Sequence, residues 1–229
     1  MTADATGDPH VPAAVPAPAP VSAARRGGKR EKPEVRRAMI VEAARAVILR
    51  QGLTATGLRD IAAEGHVSVG TVTYHFGSVA EILDEVVVLE TDRFYASIVQ
   101  EVDADPDPVH GIRLLVEPLF TGGDEAEAHW RLWSDYWTAV ARQPGLSADR
   151  LERIRVWEAC LVRTIRRGVA GGAFRAVDAS EVALKLAAYS DGIATQLSQK
   201  VPGLDNARAL AWIWTFLDAE LADGEPLFR

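Results

Sequence analysis

From Pro33 onward the apolar residues recur at helical spacing, and no run of period-two alternation is long enough to read as a strand. Ile40, Ala43, Ala44, Val47 and Ile48 fall on one helical face, and Gly52 ends that helix. A short helix follows over about Leu58 to Glu64, with Leu58, Ile61 and Ala62 inward. Gly65-His66-Val67 turns the chain, and Ser68 caps a second short helix, about Val69 to Phe76. Ser78-Val79-Ala80-Glu81 has capping-box spacing and starts a long helix to about Val102. Asp107-Pro108 starts another, which Gly122-Gly123 breaks after Phe120. Trp130, Trp133, Trp137 and Val140 mark a helix ending near Arg142. Ser147 is placed to cap the next, which carries Leu151, Ile154, Leu161 and Ile165. Asp178-Ala179-Ser180-Glu181 begins a helix with Val182, Leu186, Tyr189, Ile193 and Leu197. A last helix carries Leu210, Ile213, Leu217 and Leu221. The pattern predicts an all-α fold of about nine helices, three in front and six longer ones behind.

Composition narrows the class. Among 229 residues, 48% are hydrophobic and 25% charged, which is ordinary for a globular protein of one or two domains. No uncharged apolar run approaches the roughly 18 residues of a membrane span. The one cysteine, Cys160, excludes a disulfide framework and reads as a small buried residue; no Cys/His cluster has zinc spacing. A cytoplasmic protein without metal or cofactor is the expectation. Residues 1–24 are Ala/Pro-rich, with Pro12, Pro16, Pro18 and Pro20, and read as a disordered tail without a secretory pattern. Residues 1–32 then form tail and basic arm, 33–78 a front domain and 79–229 a rear domain. The net charge of −7 hides an asymmetry: residues 25–50 hold nine Lys/Arg against three Glu. A basic front on an acidic body suggests an anionic contact surface, although a solvated charge run has the same composition.

Two short helices joined by a tight turn make a helix-turn-helix, whose second helix enters the DNA major groove with its N-terminal side chains against base edges. Here that helix has no formal charge, and its hydroxyls, imidazole and phenol suit base edges or phosphates. A plain helical hairpin has the same spacing. The residues themselves go further. Ile40-(x)2-Ala43-Ala44, Gly52, Thr56-(x)2-Arg59-Asp60-Ile61-Ala62, Val67-Ser68-Val69-Gly70-Thr71-Val72, His75-Phe76-(x)-Ser78 and Glu81-Ile82-Leu83 together resemble the DNA-binding domain of the TetR family of bacterial transcriptional regulators. Gly172-Ala173-Phe174-Arg175-Ala176-Val177-Asp178, with Asp191-Gly192, resembles the C-terminal domains of its BetI-like branch. The chain departs from the family pattern at His66, where glycine is usual, at Thr73, where tyrosine is usual, and at Val79, where lysine is usual; Gly65 is expected to take the turn's unusual backbone angle. Losing two phosphate contacts should flatten the salt dependence of DNA binding and leave more to the basic arm.

The resemblance implies a homodimeric, ligand-responsive repressor on a palindromic operator. It implies DNA contacts by Thr56 and Arg59 on the first helix of the motif and by Ser68, Val69, Gly70, Thr71, Thr73, Tyr74 and His75 on the second. Behind them it implies a small-molecule site and a lever helix starting near Val79. In the rear domain the stripe of Leu186, Ile193, Leu197, Leu210, Ile213, Trp214, Leu217 and Leu221 is a candidate four-helix dimer interface; the same residues could equally bury against their own domain. The aromatic cluster Trp130, Trp133, Tyr136, Trp137 and Trp157 is either core or the wall of a pocket for an apolar or cationic ligand, with His129, Asp135, Thr138 and Glu158 as polar neighbours. Competing classes are a non-regulatory DNA-binding or adaptor protein on the same scaffold and a helical enzyme. No phosphate loop, nucleophile elbow or paired metal-binding histidines favour the enzyme.

Overall fold

The computed structural model describes residues 32–121, 123–142, 152 and 154–228. The tail, the basic arm, Pro144-Gly145 and Ser147 lie outside the described residues. Among those described, the delimited helices are α1 (Pro33–Gln51), α2 (Leu58–Glu64), α3 (Val69–His75), α4 (Val79–Ala104), α5 (Pro108–Thr121), α6 (Asp124–Arg142), α7 (Val156–Ala170), α8 (Ala179–Ser198) and α9 (Asn206–Leu221), with a 3-10 turn at Leu53–Ala55. No strand occurs among them. No described helix is long and apolar enough to cross a membrane.

Local signals start the helices much as expected. Ser68 Oγ accepts from Thr71 N at 3.0 Å, and Ser78 Oγ accepts from Glu81 N at 3.1 Å. The reciprocal half of the second box goes one residue further back: Glu81 accepts from Gly77 N, at 2.8 Å. Asp178 caps α8 by accepting from Ser180 N and Glu181 N. Arg155 is not helical (φ −93°, ψ 25°), so α7 begins at Val156 rather than continuing from Ser147. Gly168 is a close-approach residue: a Cβ there would lie 2.1 Å from the Phe174 ring, which folds back over α7.

Two apolar cores result. One is built by α4, α5, α7, α8 and α9 around Ile112, Leu115, Leu161, Ile165, Leu186, Ile213 and Leu217. The other holds the front helices together through Ile40, Ala44, Ile61, Val72, Phe76, Ile82 and Val86, and it takes in Leu132, Trp133 and Tyr136 of α6. Residues 33–229 therefore form one compact unit, in which α6 belongs to the core of the front helices as well as to the rear of the molecule.

Candidate nucleic-acid interface and effector cavity

Helices α2 and α3 meet through a turn held by Gly65 N donating to Ile61 O and Val67 N donating to Ala62 O. The left-handed residue of that turn is His66, at φ 51°, while Gly65 keeps an ordinary φ of −78°. The turn therefore puts its strain on a side-chain-bearing residue, and His, with Asn and Asp, is among the types that visit this region most readily. On α3, Val72 points inward, and Phe76 just beyond it is buried. Ser68, Val69, Gly70, Thr73 and Tyr74 are exposed, with Tyr74 at 82%, and Thr71 and His75 are half-buried. The Tyr74 and His75 rings meet edge to face. Arg59 is exposed on α2.

Thr56 does not join this surface. It is 8% exposed, and its hydroxyl donates to Gly52 O at 2.8 Å, closing the turn before α2. The basic front is also smaller than the count of charges implies. Arg37 donates to His75 O at 2.7 Å, lies 3.9 Å over the Phe76 ring, and pairs with Glu81 and Glu85, clamping the end of α3. Arg45 pairs with the buried Glu90 at 2.7 Å, and Arg50 pairs with Glu64 at 3.0 Å. These three cations hold the fold together.

Behind the front helices lies a cavity of about 300 Å³. Trp130, Trp133 and Trp137 of α6, Trp157 of α7 and Tyr95 of α4 form its aromatic wall; Leu184, Ala187, Ser190 and Asp191 of α8 line it too. Two indoles are fixed by backbone carbonyls, Trp130 Nε1 donating to Leu119 O and Trp157 Nε1 to Leu115 O, each at 2.8 Å. Tyr95 Oη and His129 Nε2 share a hydrogen bond of 2.8 Å. Burial lowers the His129 pKa to about 3, so the ring is neutral near pH 7, and desolvation raises the Tyr95 pKa well above its ordinary value. Two carboxylates reach the cavity. Glu158 is paired with Arg155 at 3.4 Å. Asp191 has no side-chain hydrogen bond or ion pair with any described residue, and desolvation raises its pKa to about 6.

Of the aromatic candidates, Trp130, Trp133, Trp137 and Trp157 line the cavity and Tyr136 does not: it is 1% exposed, within the core of the front helices. Among the polar neighbours, His129 and Glu158 line it. Thr138 donates to Ser134 O on its own helix, and Asp135 faces the other way, its Oδ2 accepting from Leu53 N at 2.8 Å. The sequence marked Asp191 as part of the BetI-like resemblance without giving it a role in the cavity, and it gave Tyr95 and Ser190 none; for those two the available signal was polarity within apolar helical stretches.

The candidate dimer stripe needs correction too. Leu186, Ile193, Ile213, Leu217 and Leu221 are buried in the rear core of this protomer and face inward, while Leu197, Leu210 and Trp214 pack against that core and are half-buried. Periodicity marks the most apolar stripe of a helix, and here the protomer's own core takes it. The large apolar residues left outside on α8 and α9 are Leu184, Tyr189 and Trp212.

Comparison with known proteins agrees with this geometry at both ends. Residues 108–222 match the BetI-type transcriptional repressor C-terminal family, and residues 40–86 match the bacterial regulatory proteins of the tetR family. The chain belongs to the TetR family. It is therefore a DNA-binding transcriptional regulator, and α2–α3 is the family's helix-turn-helix. TetR-family regulators bind DNA and effector ligands and are not enzymes. The chain is similar to the HTH-type transcriptional regulator BetI of Vibrio parahaemolyticus, with 27% identity over 82% of this chain and 94% of that protein. It is also similar to the HTH-type transcriptional repressor KstR2 of Mycobacterium tuberculosis, with 29% identity over 61% and 70%. A transcriptional regulator from Saccharomonospora viridis, solved in complex with choline, superposes with a TM-score of 0.70 at 29% identity, covering 83% of this chain and 98% of that one.

Proposed function

We propose that this TetR-family regulator is a homodimeric, ligand-released repressor acting on a palindromic operator in the cytoplasm. In this reading, residues 33–78 form the reading head and 79–229 the regulatory and dimerising part. Ser68, Val69, Gly70, Thr71, Thr73, Tyr74 and His75 meet the DNA, with Arg59 beside them. A second copy covers the exposed apolar residues Leu184, Tyr189 and Trp212, which places two heads one duplex turn apart.

The cavity takes a small organic cation. The observation that carries this is the Asp191 carboxylate, without a side-chain partner among the described residues, lining the same cavity as four indoles and a phenol. A carboxylate desolvated in such a place is costly until a positive charge offsets it, and indole faces attract the same charge. The choline complex of a 29%-identical relative supports the same chemistry. Titration of intrinsic tryptophan fluorescence with choline and with its neutral isostere 3,3-dimethylbutan-1-ol tests it. Choline should bind at least about tenfold more tightly; equal affinities would overturn the cation reading.

A further inference from the structure

Helix α6 has two faces with different obligations. Trp130, Trp133 and Trp137 line the cavity, while Leu132 and Tyr136 are packed into the core of the front helices. Trp133 belongs to both sets. Asp135 lies between them in the sequence, half-buried, and its carboxylate holds the backbone N–H of Leu53 at 2.8 Å across 82 residues of chain. Leu53 opens the 3-10 turn that leads through Gly57, the N-cap residue of α2, into the helix-turn-helix. Its N–H belongs to the first turn of a helix and needs an acceptor from outside.

The contact between the head and α4 is made differently. Arg45 pairs with Glu90, Arg93 with Glu42, and Arg37 with both Glu81 and Glu85, so three arginines tie α1 to α4 through ion pairs. Helix α4 is also the covalent continuation of the head. The head and the start of α4 are thus built to move together, and a displacement of the cavity wall against them falls on the contact with α6. The Asp135–Leu53 tie there is a directional hydrogen bond, which weakens steeply with small changes of distance and angle.

We infer that Asp135 is the latch through which occupancy of the cavity reaches the DNA-reading head. The inference rests on the ligand-responsive reading above. Asp135 does not touch ligand or DNA; it is a positioning residue, holding the segment that precedes α2 in the register set by α6. A cation packed against Trp133 and Trp137 favours a different placement of α6, and the Asp135–Leu53 bond is what distinguishes the two placements at the head. A ligand shifts such an equilibrium only as far as it prefers one placement over the other.

The test uses the full-length protein, choline as the probe, and a duplex that the unaltered protein selects from a random-sequence pool. The quantity read is the ratio of the DNA dissociation constants with and without saturating choline. Direct choline affinity is measured in parallel by tryptophan fluorescence. The unaltered protein should show a ratio of about tenfold or more. Asp135→Ala should bring it below about twofold while choline affinity without DNA stays within about twofold. Asp135→Asn, whose amide oxygen can still accept from Leu53 N, should restore most of the ratio. Leu53→Pro removes the donor at the first position of a turn, where proline is tolerated, and should behave as Asp135→Ala does. A full ratio in Asp135→Ala or in Leu53→Pro overturns the latch, and so does loss of choline affinity in Asp135→Ala, which marks a structural role. A ratio of one in the unaltered protein overturns the ligand-responsive reading, and the latch with it.

Discussion

The exposed face of the helix-turn-helix and the cavity are made in opposite ways. The surface comes from one stretch of chain. Ser68 caps α3, His66 turns into it, Val72 and Phe76 anchor it, and the remaining side chains are left pointing out. Every one of those steps lies within about ten residues of the next. The cavity is assembled from α4, α6, α7 and α8, and the Asp191 carboxylate, without a side-chain partner among the described residues, lies 96 positions after the tyrosine of its wall. A surface set by local rules tolerates changes among its exposed residues other than the capping Ser68, because no distant packing depends on them. A cavity shared by several helices makes each wall residue answer to packing as well as to ligand.

The largest expected effect would show how far the two regions are one body. Phe76→Ala removes a buried ring from the front core, at a cost of about 3–5 kcal/mol. Because α6 shares that core, calorimetry should show a single transition moved down, with choline binding lost at the temperature where DNA binding is lost. Two separated transitions would make the head independent of the cavity. Next comes Asp191→Asn, which should weaken choline binding by roughly tenfold or more while leaving DNA affinity without choline unchanged.

The same carboxylate sets a pH dependence. Its folded pKa of about 6 exceeds the ordinary 3.8, so the empty protein binds more protons here than the unfolded chain does between those values. Its contribution to stability is present at low pH and is lost as pH rises through that window. A cation needs the ionised form, so choline binding should be about tenfold weaker at pH 5 than at pH 7 and level above that. His129, neutral throughout, adds nothing to this window. An affinity that stays flat to pH 5 would remove Asp191 from the site.

Smaller effects sharpen the surface side. Thr73→Tyr with Val79→Lys should tighten binding to any duplex several-fold and steepen the salt slope by roughly one, since Thr73 is exposed and Val79, the first residue of α4, is half-buried. Removing residues 1–32 should act the other way, and an unchanged slope would exclude the arm. Smallest of all, His66→Gly should raise stability by up to about 1 kcal/mol in urea unfolding by relieving the left-handed turn, less the entropy glycine adds to the unfolded chain.

What could be read from the sequence follows the same division. Helix starts and the place of the turn were legible because capping and turn chemistry act over three or four residues, but the left-handed residue of the turn is His66 and not the expected Gly65. Thr56 was misplaced because its hydroxyl is consumed by a carbonyl four residues earlier, which spacing does not distinguish from an outward hydroxyl. The basic front was overcounted because Arg45 and Arg50 find their carboxylates 45 and 14 positions away. Asp135 had the composition of a ligand contact and became a tie to the head, since only the packing of α6 decides which side of that helix a residue serves. The dimer stripe failed for a related reason: the strongest periodicity belongs to the protomer's own core, and the outer face carries the weaker pattern.

Trp133 stands in the cavity wall and in the core of the reading head at once, at 9% exposure. Indole emission changes with the polarity and rigidity of its surroundings, so this side chain is an optical reporter already installed between sensor and reader. With Trp212 and Trp214, which do not line the cavity, replaced by phenylalanine, the remaining indole emission would follow filling of the cavity, Trp133 included, with no dye attached.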